Sequence, residues 1–246
     1  MTVKKYELTN DTIERDGHTL HRIRALIDIS AIQVSAGDLG GYVESESNLS
    51  HEGKCWVGGD AVVMEDAVVS GKATVWGNAI VKGNAFVSES ARVRGHAVVS
   101  DHAVMNGEAY VGGFAHVLGH ARVSVIGCVG GHARMSEFAH VCGDATVSDN
   151  VRMSGHACVE GDAIVRECVV VKDNAVVGDH ANVRGHAVVS GNARVEEDAV
   201  VEGHALISGH AIVKGVAVVG DYAVVRGKTV VSDQATVGGA QPIMRF

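Results

Sequence analysis

Histidine returns at one position of this chain: His96, His102, His120, His132, His156, His180, His186, His204 and His210 are all separated by multiples of six residues. Imidazole at that density could serve two chemistries. A histidine facing a cleft between subunits can take a proton during acyl transfer. Three that converge can hold a zinc ion and activate its bound water. Two further sets stand out. His116, Arg122, Arg134, His140 and Arg152 would suit an anionic ligand or an acidic protein patch. His140, Cys142, Cys158 and Glu160 are all metal-ligand types. Which of these can act depends on how the chain places them.

The placing element is a six-residue unit. From Val57, steps of six reach Val63, Val69 and so on to Val237 without an insertion, and each position is Val, Met or Ile. Alanine stands four residues after each, except at Gly127, Val151, Val169 and Thr229. In the unit V-x-G-N-A-x, the alanine and the next valine lie two residues apart and share one face of an extended strand, while the residue between them points outward. Gly and Asn are expected to supply the positive φ of a tight corner. A helix would scatter the valines around its axis, and valine and glycine are poor helix formers. Three bends of about 120° close a triangle, so eighteen residues make one coil. About ten coils stacked at the strand spacing would form a rod about 50 Å long.

Composition agrees with this plan and excludes several partners. Aromatics are only 4% of the chain and the single proline is Pro242, so valine and alanine must fill the core. The net charge of -8 comes without a run of like charges, which argues against nucleic acid. No apolar stretch is long enough to span a membrane, and the first residues, MTVKKYELTNDT, lack a signal-peptide core, so a cytoplasmic protein is expected. Five cysteines without C-x-x-C spacing are expected to be reduced thiols.

The chain divides in sequence into a cap over residues 1–50, coils over 51–239 and a tail over 240–246. In the cap, KKYELTNDT and HTLHRIRALIDI read as two strands joined around Arg15-Asp16-Gly17. In the tail, Pro242 stops strand pairing, and Ile243, Met244 and Phe246 are expected to fold over the last coil.

The hexad resembles the hexapeptide repeat of left-handed β-helix proteins, a superfamily that includes many acyltransferases and the gamma-class carbonic anhydrases. Left-handedness is implied by that resemblance alone, because the general rule for parallel crossovers favours the right hand. More specifically, KYELT, HRIRALIDI and AGDLGGYVESESNLSHEGKCWV, the last spanning Ala36 to Val57, resemble the opening of YdcK-type proteins of enterobacteria, phages and prophages. That resemblance implies an architecture and a viral setting, with no activity to carry over.

Against this frame the candidate chemistries separate. The corner histidines share their position with Asn and Asp, which reads as tolerance of a left-handed turn. No insertion supplies the loop that walls the pocket of hexapeptide acyltransferases. His116 and His120 do not match the carbonic anhydrase register, and the outward threonines Thr74, Thr146 and Thr236 form no array for ice binding.

Eighteen-residue stacking places Arg134 on Arg152, which repel unless an anion or acidic group lies between them. His116, Arg122, Arg134, His140 and Arg152 therefore form the candidate binding belt, with Glu137 and Asp149 as alternative internal partners. The His140/Cys142/Cys158/Glu160 group sits on a flat face where tetrahedral closure needs all four to lean inward, and no metal or other cofactor is assigned.

The sequence thus predicts a three-sided all-β solenoid with a hairpin cap, acting without catalytic residues as a rigid spacer or interaction module, phage or prophage encoded. The alternative is a hexapeptide-repeat acyltransferase working at a subunit interface. Expected partners are an unknown protein or small anionic ligand. Outward valines point to a homo-oligomer, with a trimer favoured by the resemblance, and virion association is left open.

Overall fold

The computed structural model describes residues 4–239. The tail residues Pro242, Ile243, Met244 and Phe246 lie outside the described residues. Two compact units meet in sequence at His120 and Ala121. The described residues are strands and turns, with two 3-10 turns in the first unit. Among them no helix is long and apolar enough to cross a membrane.

The first unit opens with an antiparallel hairpin of β1 (Tyr6–Arg15) and β2 (His18–Ala25). The chain reverses through Asp16 and Gly17, at φ 50° and 85°, where the turn residues predict it. A third strand, β3 (Leu39–Val43), changes the direction of pairing: it runs antiparallel to β2 and parallel to Val62–Val63. This approach is close. A Cβ on Gly40 would lie 2.5 Å from the Val57 carbonyl oxygen and from Ile23 Cγ1, so a larger residue would force β3 off the first coil. Leu20, Tyr42, Val62 and Met64 bury one another at this junction, with Ile13 packed against them.

Polar groups complete the start of the first unit. Asn48 is fully buried at the end of the Glu46–Asn48 turn. Its side-chain amide donates to the carbonyls of Glu65 (2.8 Å) and Ala67 (2.9 Å), while its Oδ1 accepts from the Ser45 amide (2.9 Å). It supplies donors where a strand would otherwise be needed. Tyr6 Oη donates to the Leu49 carbonyl at 2.8 Å, and burial raises that phenol well above its usual range. Lys5 is 1% exposed, with Nζ 3.0 Å from Cys55 Sγ.

Thereafter the hexads behave as the spacing predicts. Each strand is two residues long, from Trp56–Val57 to His116–Val117 in the first unit and from Arg122–Val123 to Thr236–Val237 in the second. The second residue of each pair faces inward, and both it and the preceding alanine are buried through most of both units. Strands pair in parallel with the strand eighteen residues on, such as Val62 with Ile80 in the first unit and Arg134 with Arg152 in the second. Backbone bonds follow the same register: Val98 donates to the Ala115 carbonyl and Cys142 to the Val159 carbonyl, at 2.9 and 3.0 Å. Three parallel sheets therefore enclose the core of each unit. Each buried valine contributes about 1.5–3 kcal/mol.

The corners depart from expectation in an informative way. Asparagine and the recurring histidines were expected to take the positive φ, but the left-handed residue is the one before them. Gly95 precedes His96 at φ 73°, and Asp101 precedes His102 at φ 60°. Where glycine is missing, this position is Glu or Asp almost throughout. Glu65 Oε2, Glu89 Oε2 and Asp101 Oδ2 accept from the amides of Gly83, Gly107 and Gly119 in the next coil, at 2.7–2.8 Å. In the second unit Asp149 receives the Glu167 amide, and Glu167 in turn receives that of Gly185. The carboxylate thus ties two coils together and offsets the roughly 1–2 kcal/mol of left-handed strain.

Val125 breaks the rule. It holds φ 61° in a β-branched residue with no polar atom to accept the next coil's amide, and it is 54% exposed. Replacing Val125 with Gly should stabilise the chain by about 1 kcal/mol, less strain being partly offset by a freer unfolded chain. Thermal unfolding of the two proteins side by side measures this, and a lower midpoint for Val125→Gly would show that the corner is unstrained.

Candidate functional site

Three groupings of chemically capable side chains arise from the eighteen-residue register. The first lies within the first unit and has no counterpart among the sequence expectations. A groove of about 620 Å³ is lined by Lys54, Lys72, Arg92 and Arg94, by Thr74, Trp76 and Ser90, and by the 30–33 segment. The register explains one wall. Thr74 pairs with Arg92 in adjacent strands, Lys54 lies one coil before Lys72, and Trp76 one coil before Arg94. Trp76 rests over Gly58, where any Cβ would collide with the indole ring, so the glycine fixes where the aromatic surface sits. The opposite wall is the 3-10 turn Ser30–Ile32, closed by Gln33 at φ 57°. None of the four cations is ion-paired among the described residues.

The second grouping contains the predicted belt residues. In the second unit Arg134 and Arg152 pair directly across one sheet, while Arg122 pairs with His140 on another. All three arginines are exposed and none forms an ion pair among the described residues. The internal partners considered for them are engaged elsewhere, since Glu137 accepts the Gly155 amide at 2.7 Å and Asp149 the Glu167 amide at 3.0 Å. His116 belongs to the first unit, half-buried on a strand that pairs with Val98–Val99. The residues thus form an arginine pair on one sheet and an Arg122–His140 pair on another. Burial lowers the His140 pKa, and Arg122 beside it lowers it further against the pull of Glu160.

The third grouping shares His140. One ligand atom each from His140, Cys142 and Cys158 lies within 4.8 Å of the others. His140 pairs with Cys158 in the next coil, and Cys142 follows two residues after His140 on the same outward side. Glu160 Oε2 lies 3.7 Å from Cys158 Sγ, and Ser124 Oγ lies 2.9 Å from His140 Nε2. All three are half-buried, so the face is less open than strand alternation implies. Burial, then Glu160, then the neighbouring Cys142 push the Cys158 thiol up to about 12, and the first two raise Cys142 as well.

Stacking also orders the corner histidines. His102 lies over His120 in the first unit, and His186, His204 and Tyr222 form a column in the second, with ring centroids 4.8 Å apart. These rings repeat at the coil spacing along the outer corners. Outward apolar residues such as Val170, Val188 and Leu206 are half-buried by their stacked neighbours, whereas Phe86, Ile164, Val224 and Val230 are exposed.

Parallel two-residue strands, one buried aliphatic residue per hexad and a left-handed corner define a β-solenoid. Within it, residues 187–203 match the family model described as YdcK Beta solenoid repeat. The matched stretch begins at a buried alanine, holds the left-handed corner Glu197 and ends at Gly203, close to one full coil. No curated protein gives a significant match to the chain.

Thiol reactivity tests the local environments directly. Near pH 8 an alkylating reagent should modify the exposed Cys168 first and Cys158 among the last, because the thiolate is the reacting form. Timed labelling read by peptide mass spectrometry checks the order, and equal rates at the two sites would contradict the environment described for Cys158.

Proposed function

We propose that this YdcK-type β-solenoid repeat protein is a non-catalytic binding module whose first unit takes a small anionic ligand. The observation that carries this reading is the convergence of Lys54, Lys72, Arg92 and Arg94, all without acidic partners among the described residues, on a groove of about 620 Å³. That volume falls within the range of small-molecule sites. Guanidinium groups supply paired donors to carboxylate or phosphate oxygens, and Trp76 offers an apolar surface beside them. The lining side chains are cationic, hydroxyl, amide, aliphatic and aromatic, a set suited to holding a charged ligand. A phage or prophage setting is part of the proposal and is supported by the resemblance of residues 36–57.

Trp56 is buried and Trp76 borders the groove, so tryptophan fluorescence reports on it. Titration with inorganic pyrophosphate should give saturable quenching that weakens with added salt. Arg92→Glu with Arg94→Glu should reduce the affinity at least tenfold, or about 1.4 kcal/mol. Trp76→Phe should remove the signal while calorimetric binding persists. Quenching that is unchanged in the double variant would exclude the groove.

Arg134 and Arg152 favour a second contact, with an acidic patch on a partner protein, because two stacked guanidinium groups lack an internal counter-charge. A protein captured from the native host by the wild-type chain should be lost when both are changed to Glu. Retention of that protein would remove this contact from the proposal.

A further inference from the structure

We infer that His140, Cys142 and Cys158 form a binding site for a thiophilic divalent cation of the zinc type, with Glu160 as the fourth ligand. This site lies within the second unit and is independent of the groove proposed for anions. Its donor set is built by the register and draws on only two adjacent coils. His140 and Cys142 leave one strand on the same side, Cys158 comes from the strand paired with it, and Glu160 lies beside Cys158. The histidine nitrogen and the two sulfurs already lie within 4.8 Å of one another. A tetrahedral ion with ordinary zinc–sulfur and zinc–nitrogen bonds requires donors about 3.5–3.8 Å apart. Small side-chain rotations close that difference, because these short outward groups extend from parallel strands without a turn between them.

The surroundings suit a metal ligand set. Ser124 Oγ holds Nε2 of His140 at 2.9 Å, which fixes the ring and leaves Nδ1 as the donor assigned to the cation. Two thiols, one imidazole and one carboxylate match zinc better than magnesium or calcium, which prefer oxygen donors. The site is half-buried, so water competes less for the sulfurs than on an open face. Binding would release both thiol protons to solvent and leave a neutral imidazole, two thiolates and a carboxylate around the cation. Such a staple would clamp the coil that carries His140 to the next one.

The test uses the full chain, stripped with a chelator and held in a phosphine reductant, titrated with cobalt(II) as a spectroscopic probe and then with zinc. The expected result is one cobalt per chain, with a sulfur-to-cobalt charge-transfer band and the intense visible bands of tetrahedral geometry, both removed by one equivalent of zinc. Cys142→Ser and Cys158→Ser should each weaken binding at least a hundredfold, and His140→Ala at least tenfold. Glu160→Gln should alter the visible bands while keeping the charge-transfer band. Cys128→Ser, on a different sheet, should leave the titration unchanged. All these side chains point outward, and circular dichroism verifies that each variant is folded. The inference is overturned if the folded wild-type chain binds no stoichiometric cobalt. It is equally overturned if the charge-transfer band survives Cys158→Ser, or if the two cysteines form a disulfide in preference to taking up metal under these reducing conditions.

Discussion

Within each unit the amides of one coil find their acceptors on the coil eighteen residues ahead. A strand of two residues has almost no stability of its own, and it persists because both its edges are paired and its inward residue is covered by the same residue type above and below. Any change in lap length would shift the inward and outward alternation for every later residue. This constraint explains why residues 57 to 237 keep their spacing, and why a small apolar residue, most often alanine and at 151 and 169 valine, fills the buried slot beside the corner. Corner carboxylates serve the same constraint. Glu137 and Asp149 each accept an amide of the following coil, a bond that a glycine corner has no side chain to make.

Equal laps also determine what the surface can do. Outward residues eighteen apart stand about 4.8 Å from one another, so like side chains make continuous ranks and unlike ones make local clusters. Arginine over arginine needs an external counter-charge, histidine over histidine stacks as flat rings, and histidine over cysteine brings metal donors together. Chemically distinct clusters in such a molecule arise where outward residues depart from the repeat. In the first unit the departures are Lys54, Lys72, Arg92 and Arg94; in the second they are His140, Cys142, Cys158 and Glu160.

Much of this was legible in the residues. The period of six, the inward valines and alanines, the hairpin at Asp16-Gly17 and the stacking of Arg134 on Arg152 all follow from alternation and turn chemistry. Glycine holds the left-handed corner as expected, but Asn does not share it: the residue beside Asn takes the positive φ, and where it is not glycine its Glu or Asp carboxylate bonds the next coil. His140 stands beside Arg122 where the register places it, but its half-burial is not conveyed by strand alternation. The groove was missed for a different reason. Lys54 with Lys72 and Trp76 with Arg94 carry the eighteen-residue signal, but the far wall at Ser30–Ile32 depends on how the hairpin returns to the first coil.

The change of direction at β3 has a consequence for association. Because β3 pairs with Val62–Val63, the hairpin seals only one of the first unit's three sheets. A second is closed through the Leu49–Val69 bridge, whereas the third begins at Trp56–Val57 with no strand before it among the described residues. The Ser30–Gln33 segment stands beside that third sheet, forming a groove with its residues Thr74 and Arg92. The first strand of that sheet is nevertheless withdrawn from solvent, since Trp56 is 1% and Val57 0% exposed, and a sequence that uncovered it would gain a template for end-to-end polymerisation.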